Sequence, residues 1–203
     1  TNAQLVLHLD HGASYEQVIQ CLRNGFTSVM IDGSRLPLKE NIRVTKEVTR
    51  AAHTVGVSVE AELGAIGGTE DGMTAKANLV NVDDARCFLE EVTVEALAIG
   101  IGNAHGIYKS TPNLAFDRLE QVAALGGPAL VLHGGSGIPD DMIRKAIVMG
   151  IRKINVATEV RLAFLEGFGL EVNSKDIYKA YQSAQAHARK IISDKMSLFD
   201  TTK

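Results

Sequence analysis

The sequence predicts an α/β fold in which the strands of a parallel sheet alternate with helices. Short apolar runs containing β-branched residues recur along the chain, each ending in polar or glycine-rich residues. Segments of helical period fill the gaps between them. The 19 glycines among 203 residues exceed an ordinary share and cluster at the ends of the apolar runs.

Taken in order, Leu5–Leu9 leads into Asp10-His11-Gly12, and Ser28–Ile31 leads into Asp32-Gly33-Ser34. Val57–Leu63 carries Glu60 and Glu62 and stops at Gly64, and Ala96–Ile101 leads into Gly102-Asn103-Ala104-His105-Gly106. Ala129–Leu132 leads into His133-Gly134-Gly135-Ser136-Gly137, and Lys153–Val156 leads into Ala157-Thr158-Glu159. Helical segments open at Ser14, run over Leu38–Val55, Asp83–Val92 and Phe116–Leu125, and start again at Pro139, Thr158 and Ile177. Pro139 suits a first helical position, and Gly126-Gly127-Pro128 suits a stop. The stretch from Gly67 to Val80 is the expected mobile loop.

A closed (β/α)8 barrel needs eight strands and about 250 residues. Six strands therefore leave two readings: an open sheet, or a TIM (β/α)8 barrel of which strands three to eight are visible and the first two units are missing. The second is the expectation, with residues 1–203 as one barrel domain and 177–203 as a C-terminal helical extension. The placement of the polar residues favours it.

Composition narrows the function. Lys plus Arg is 21, Asp plus Glu is 24, and the net charge of −3 lacks the basic excess of a nucleic-acid binder. The 45% hydrophobic and 22% charged content belongs to a globular chain rather than a disordered one. Two cysteines, Cys21 and Cys87, exclude a disulfide scaffold and a zinc ribbon. Without a membrane-length apolar run or an apolar leader, the expectation is a cytoplasmic protein with no membrane and no nucleic-acid partner.

Asp10, His11, Asp32, Glu60, Glu62, His105, His133, Asn155 and Glu159 lie in or at the C-terminal ends of predicted strands. In a parallel barrel those ends share one mouth, where catalytic residues gather. His11, His105 and His133 each precede a glycine, whereas His8, His53 and His187 read as packing or surface residues. Three converging imidazoles with an open fourth position make a catalytic zinc site. The nearby carboxylates either orient those imidazoles or move protons. Backbone N–H groups at Gly134 and Gly135, with the hydroxyls of Ser136 and Thr158 at a helix start, suit a phosphate. Gly100-Ile101-Gly102-Asn103-Ala104-His105-Gly106 has the wrong last gap for a dinucleotide fingerprint, and no Walker lysine motif or nucleophile elbow is present. Among the predicted strands no lysine stands at a C-terminal end, since Lys153 opens its strand; this weighs against Schiff-base chemistry.

These motifs resemble the zinc-dependent class II ketose-bisphosphate aldolases, a family that includes fructose- and tagatose-bisphosphate aldolases. The likeness rests on Leu9-Asp10-His11-Gly12, Ile31-Asp32-Gly33-Ser34, Glu60-Ala61-Glu62-Leu63-Gly64, Gly67-Gly68-Thr69-Glu70-Asp71-Gly72, Ala104-His105-Gly106-Ile107-Tyr108-Lys109, His133-Gly134-Gly135-Ser136-Gly137 and Asn155-Val156-Ala157-Thr158-Glu159, in family order. It implies a TIM barrel that begins with two further strands. It implies zinc on His11, His105 and His133, a hydroxyl-proton shuttle at Asp10, and a mobile-loop acid at Glu70. Asp32 and Glu62 match a second or resting metal position, and Gly106, Lys109, Gly134, Ser136, Asn155 and Thr158 match groups around the ketose phosphate. A monovalent cation, Na+ or K+, accompanies that phosphate in the family. A phosphorylated sugar substrate and a homodimer or homotetramer are implied as well.

One departure stands out. Many bisphosphate-cleaving members carry an arginine in the last helix for the distal phosphate; Gln182 stands near that position here, with Arg189 one or two turns on. The segments from Gly167 to Lys175 and after Gly72 are also short for the family. Two rival classes are a metal-dependent TIM-barrel hydrolase and a non-catalytic accessory subunit. His8 and His11 lack the His-x-His spacing usual in the first, and intact Asp10, Glu70 and the three histidines argue against the second.

Overall fold

The computed structural model describes residues 4–70, 73–75 and 78–200. In chain order the elements are β1 (His8–Gly12), α1 (Tyr15–Arg23), β2 (Ser28–Ile31), α2 (Leu38–Thr54), β3 (Ser58–Leu63), β4 (Gly67–Glu70), β5 (Met73–Ala75), α3 (Val82–Glu91), β6 (Ala96–Ile99), β7 (Ala104–His105), α4 (Phe116–Ala123), β8 (Ala129–Leu132), α5 (Asp140–Val148), β9 (Ile151–Ile154), α6 (Thr158–Glu171) and α7 (Ile177–Phe199). Ser14 caps α1 by accepting from the backbone N–H of Gln17, Asn81 caps α3, and Asp176 caps α7.

β1, β2, β3, β6, β8 and β9 form one parallel six-stranded sheet in that order. Every neighbouring pair is parallel, as the alternating plan predicts. Strand alternation divides the side chains of this sheet between two faces. Val29, Ile31, Val59, Ala61, Leu63, Leu97, Ile99, Leu130, Leu132 and Ile151 join the main core with Val18, Ile42, Val48, Ala52, Ala85, Phe88, Leu119, Val122, Ile143 and Ala146 of the helices. Each large aliphatic or aromatic side chain fully buried there contributes about 1.5–3 kcal/mol. Met30, Ala98 and Val131 form a second, smaller cluster. The alternation of β3 puts Glu60 and Glu62 out of phase with core residues Val59, Ala61 and Leu63, and so on the face away from that main core. Thus the local sequence builds a sheet with one greasy side and one chemically loaded side.

The expected elements differ in detail. β1 starts at His8 rather than Leu5, which puts Asp10 and His11 inside the strand and leaves Leu5, Val6 and Leu7 exposed. β9 covers Ile151–Ile154, so Lys153 is the third of four strand residues and does not open the strand. The stretch expected as a mobile loop contains the antiparallel pair β4–β5, and β7 joins β4 in a second sheet. The backbone of Glu70 closes β4; its side chain, with residues 71–72 and 76–77, lies outside the described residues. No helix among the described residues is long and apolar enough to cross a membrane.

Candidate active site

The C-terminal end of β1 carries the first functional group. His11 has φ of 47°, a left-handed conformation that is costly for a side chain with a Cβ, and the β1–β2 register shifts between Leu9 and Gly12. This irregularity sits beside an ordered partner. His11 Nδ1 donates to Asp32 Oδ2 at 3.0 Å, just beyond β2. Asp32 is itself fixed: Oδ1 accepts from the Ser34 backbone N–H at 3.0 Å and from the Ser34 hydroxyl at 2.7 Å.

His105 arrives by a different route. β7 pairs with β4 so that His105 lies opposite Gly68. A Cβ on Gly68 would stand 2.1 Å from the His105 carbonyl oxygen, so only glycine allows this approach. His133 follows β8, and its backbone carbonyl accepts from the buried Asn103 amide at 2.9 Å. The three rings meet edge to face, with centroids 4.9 Å (His11–His105), 4.6 Å (His11–His133) and 5.9 Å (His105–His133) apart. One nitrogen from each lies within 4.8 Å of the others, a spacing that could hold a metal ion. His11, Asp32 and Glu62 form a second such group.

The outer partners leave one nitrogen of two rings pointed inward. His133 Nε2 donates to Glu60 Oε1 at 2.7 Å, and His133 Nδ1 lies 2.8 Å from His11 Nε2. Glu60 Oε2 accepts from Lys153 Nζ at 2.6 Å. Burial pushes the Glu60 carboxyl up, but the His133 hydrogen bond and the Lys153 charge outweigh it and hold the group at about 2. Burial also lowers the His133 imidazole, which favours the neutral form a metal requires. For His11, burial favours the neutral ring, yet Asp32, Glu62 and Asp10 together raise it to about 9. Asp32 is held at about 2, its burial outweighed by the bonds from His11 and Ser34. Glu62 is pushed up to about 8 by burial and by the Asp32 charge.

Beside the rings lies a cavity of about 330 Å³ lined by His8, Asp10, His105, Gly106, Gly134, Ser136, Lys153 and residues 154–158. That volume suits a small polar molecule. Asn155 bridges the cavity and the rings. Its Nδ2 donates to both oxygens of Asp10 at 3.1 and 3.2 Å and lies 3.4 Å from the His133 ring. On the glycine-rich side, Gly134 adopts φ of 63°, and a Cβ there would stand 2.2 Å from the Ala104 carbonyl oxygen. Tyr108 ties the two loops: its hydroxyl accepts from the Ala104 backbone N–H at 2.7 Å and donates to the Gly134 carbonyl at 3.1 Å.

Of the residues singled out in the sequence, Asp10, His105, Gly106, Gly134, Ser136, Asn155 and Thr158 line one cavity. His11 and His133 adjoin it, and Asp32 and Glu62 surround His11 on the other side. Lys109 is exposed and outside the lining, and Gln182 and Arg189 are exposed on α7. Lys153 and His8 stand elsewhere than their positions in the sequence suggest. Lys153 lines the cavity, since β9 begins earlier than its apolar run suggests, and its ammonium is engaged by Glu60. His8 is not a packing residue: it lines the cavity, with Nε2 3.6 Å from Glu60 Oε2. The even spacing of His8, Asp10, Glu60 and Glu62 along their strands was the available signal for that polar face.

A family model described as fructose-bisphosphate aldolase class-II matches residues 1–203. A fructose-bisphosphate aldolase of Streptococcus pyogenes serotype M1 is 44% identical over 201 residues, covering 98% of this chain and 64% of its own length. A 6-phospho-5-dehydro-2-deoxy-D-gluconate aldolase of Bacillus subtilis is 47% identical over 162 residues, covering 80% of this chain and 56% of its own. The crystal structure of the YdjI aldolase from Escherichia coli K12 superimposes with a TM-score of 0.84 at 32% identity, over 96% of this chain and 68% of that one. The chain thus spans somewhat less than two thirds of the curated relatives it matches.

Proposed function

We propose an activity from one premise: the chain belongs to the class II fructose-bisphosphate aldolase family. The activity is reversible aldol cleavage of a phosphorylated ketose, tagatose or fructose 1,6-bisphosphate, to dihydroxyacetone phosphate and an aldehyde. The observation that carries it is the meeting of three imidazole nitrogens within 4.8 Å beside a carboxylate, Asp10, that an amide holds in place. The six-stranded parallel sheet supports the same reading as six of the eight strands of a TIM barrel.

The donor set fits zinc. His11 and His133 each tie one ring nitrogen to a carboxylate, Asp32 or Glu60, and turn the other toward the common centre. Bound there, zinc supplies a Lewis acid that polarises the substrate carbonyl and offsets the negative charge developing on it. Asp10, exposed to the cavity, takes the proton of the hydroxyl at the cleaved bond, and Asn155 fixes its two oxygens. Glu70 moves the proton on the carbon next to the carbonyl. Gly106, Gly134, Ser136, Asn155 and Thr158, together with Lys109 by the family likeness alone, hold the ketose phosphate, with Na+ or K+ beside it. Lys153 Nζ donates to Glu60 Oε2 at 2.6 Å, an engagement that weighs against its serving as a Schiff-base amine. Among the described residues, Glu62 Oε2 is buried without a hydrogen-bond partner, 3.8 Å from His11 Nδ1. That orphaned oxygen supports Asp32 and Glu62 as a second or resting metal position. A cytoplasmic homodimer or homotetramer belongs to this reading through the family likeness alone.

The test is an assay of the intact protein on fructose 1,6-bisphosphate, tagatose 1,6-bisphosphate and 6-phospho-5-dehydro-2-deoxygluconate, before and after chelation. Dihydroxyacetone phosphate release that stops on chelation and returns with zinc supports the reading. Ester or amide hydrolysis without carbon–carbon cleavage would instead indicate a metal-dependent hydrolase.

A further inference from the structure

Two hydrogen bonds run in opposite directions between the glycine-rich loop after β8 and the first turn of α6. The backbone N–H of Glu159 donates to Ser136 Oγ at 3.3 Å, and the backbone N–H of Gly137 donates to Glu159 Oε1 at 2.5 Å. The N-cap of α6, Ala157, has no side chain able to cap the helix, so a serine from a distant loop takes that part. The second oxygen of Glu159, Oε2, pairs with Lys195 Nζ at 2.9 Å. Lys195 lies near the end of α7, and both side chains are mostly withdrawn from solvent, at 26% and 17% exposure.

A carboxylate next to an anion site is a paradox on electrostatic grounds alone. It repels the ligand unless a cation meets its charge and its oxygens are occupied. Here both conditions hold, one oxygen on Gly137 and the other on Lys195. The two segments that would form the phosphate cradle are therefore stitched at a set separation by a reciprocal pair of bonds, and the last helix anchors the stitch.

We propose that Glu159 is a positioning residue for phosphate binding, joining the Ser136–Gly137 loop to the start of α6 while Lys195 of α7 neutralises and holds it. The proposal rests on the phosphate cradle assigned above. It adds a residue that touches no substrate and a coupling of the C-terminal helix to the cradle.

Inorganic phosphate titrated calorimetrically into the intact, zinc-loaded protein tests it, together with kcat and KM on the cleaved ketose bisphosphate. Glu159→Ala should raise the phosphate dissociation constant about tenfold, the cost of losing a charge-assisted hydrogen bond. KM should rise in step, with kcat and zinc affinity near the native values. Glu159→Gln, whose amide oxygen still accepts from Gly137, should recover most of the loss, and Lys195→Met should fall between the two. Native phosphate affinity in Glu159→Ala, or a parallel loss of zinc affinity, overturns the proposal. If Ser136→Ala weakens phosphate binding and Glu159→Ala does not, the cradle stands and Glu159 has no part in it. Absence of phosphate binding to the native protein removes both.

Discussion

His133 Nε2 lies 2.7 Å from Glu60 Oε1, and neither side chain is more than 2% exposed. A buried carboxylate so placed fixes which ring nitrogen carries the proton, and so which nitrogen faces His11.

Removing that charge while keeping the shape should loosen the metal. Glu60→Gln is expected to weaken zinc binding about 10- to 100-fold, read by competition with a chromophoric chelator. Unchanged affinity would mean that the ring is oriented by packing alone.

The same carboxylate sets an acid limit on stability. Glu60 and Asp32 are held at about 2, below the ordinary carboxylate range, so each stabilises the fold above its unfolded pKa of about 4. The contribution is lost as pH falls through the folded values. Metal-free protein should therefore lose stability between about pH 4.5 and pH 2, and Glu60→Gln should flatten that decline. Urea midpoints measured across this range check it.

Asp10 accepts two contacts from Asn155 and faces the cavity, unlike the carboxylates that orient the rings. Asp10→Ala should lower kcat by about 10²- to 10⁴-fold while zinc stays bound. Full activity in this variant would remove Asp10 from proton transfer.

Gly134→Ala probes the loop backbone. With φ of 63° and the Ala104 carbonyl in the way, the methyl cannot be accommodated without moving the loop. A loss of more than about 1 kcal/mol in stability is expected from thermal melts, with weaker phosphate binding.

The strand order and the convergence of His11, His105 and His133 were legible because each histidine follows or ends an apolar run and precedes a glycine. Lys153 and His8 were not, for two physical reasons. The start of β9 is set by pairing with β8 rather than by the Lys153-Ile154-Asn155-Val156 run itself. His8 belongs to the polar face of β1, and that face is recognisable only once Glu60 of β3 is known to stand near it. The hairpin of β4 and β5 escaped because its glycines read as loop, whereas Gly68 serves the close approach to His105. Glu159 was visible as a polar strand-end residue, but its tie to Lys195 on α7 is a tertiary contact.

In the proposed enzyme, imidazoles from β1, β7 and the loop after β8 share one zinc ion. Zinc K-edge X-ray absorption on the loaded protein tests it most directly. Three imidazole nitrogens are expected at about 2.0–2.1 Å, falling to two in His105→Ala. A shell of carboxylate oxygens with no imidazole scattering, or one unchanged by that substitution, would contradict it.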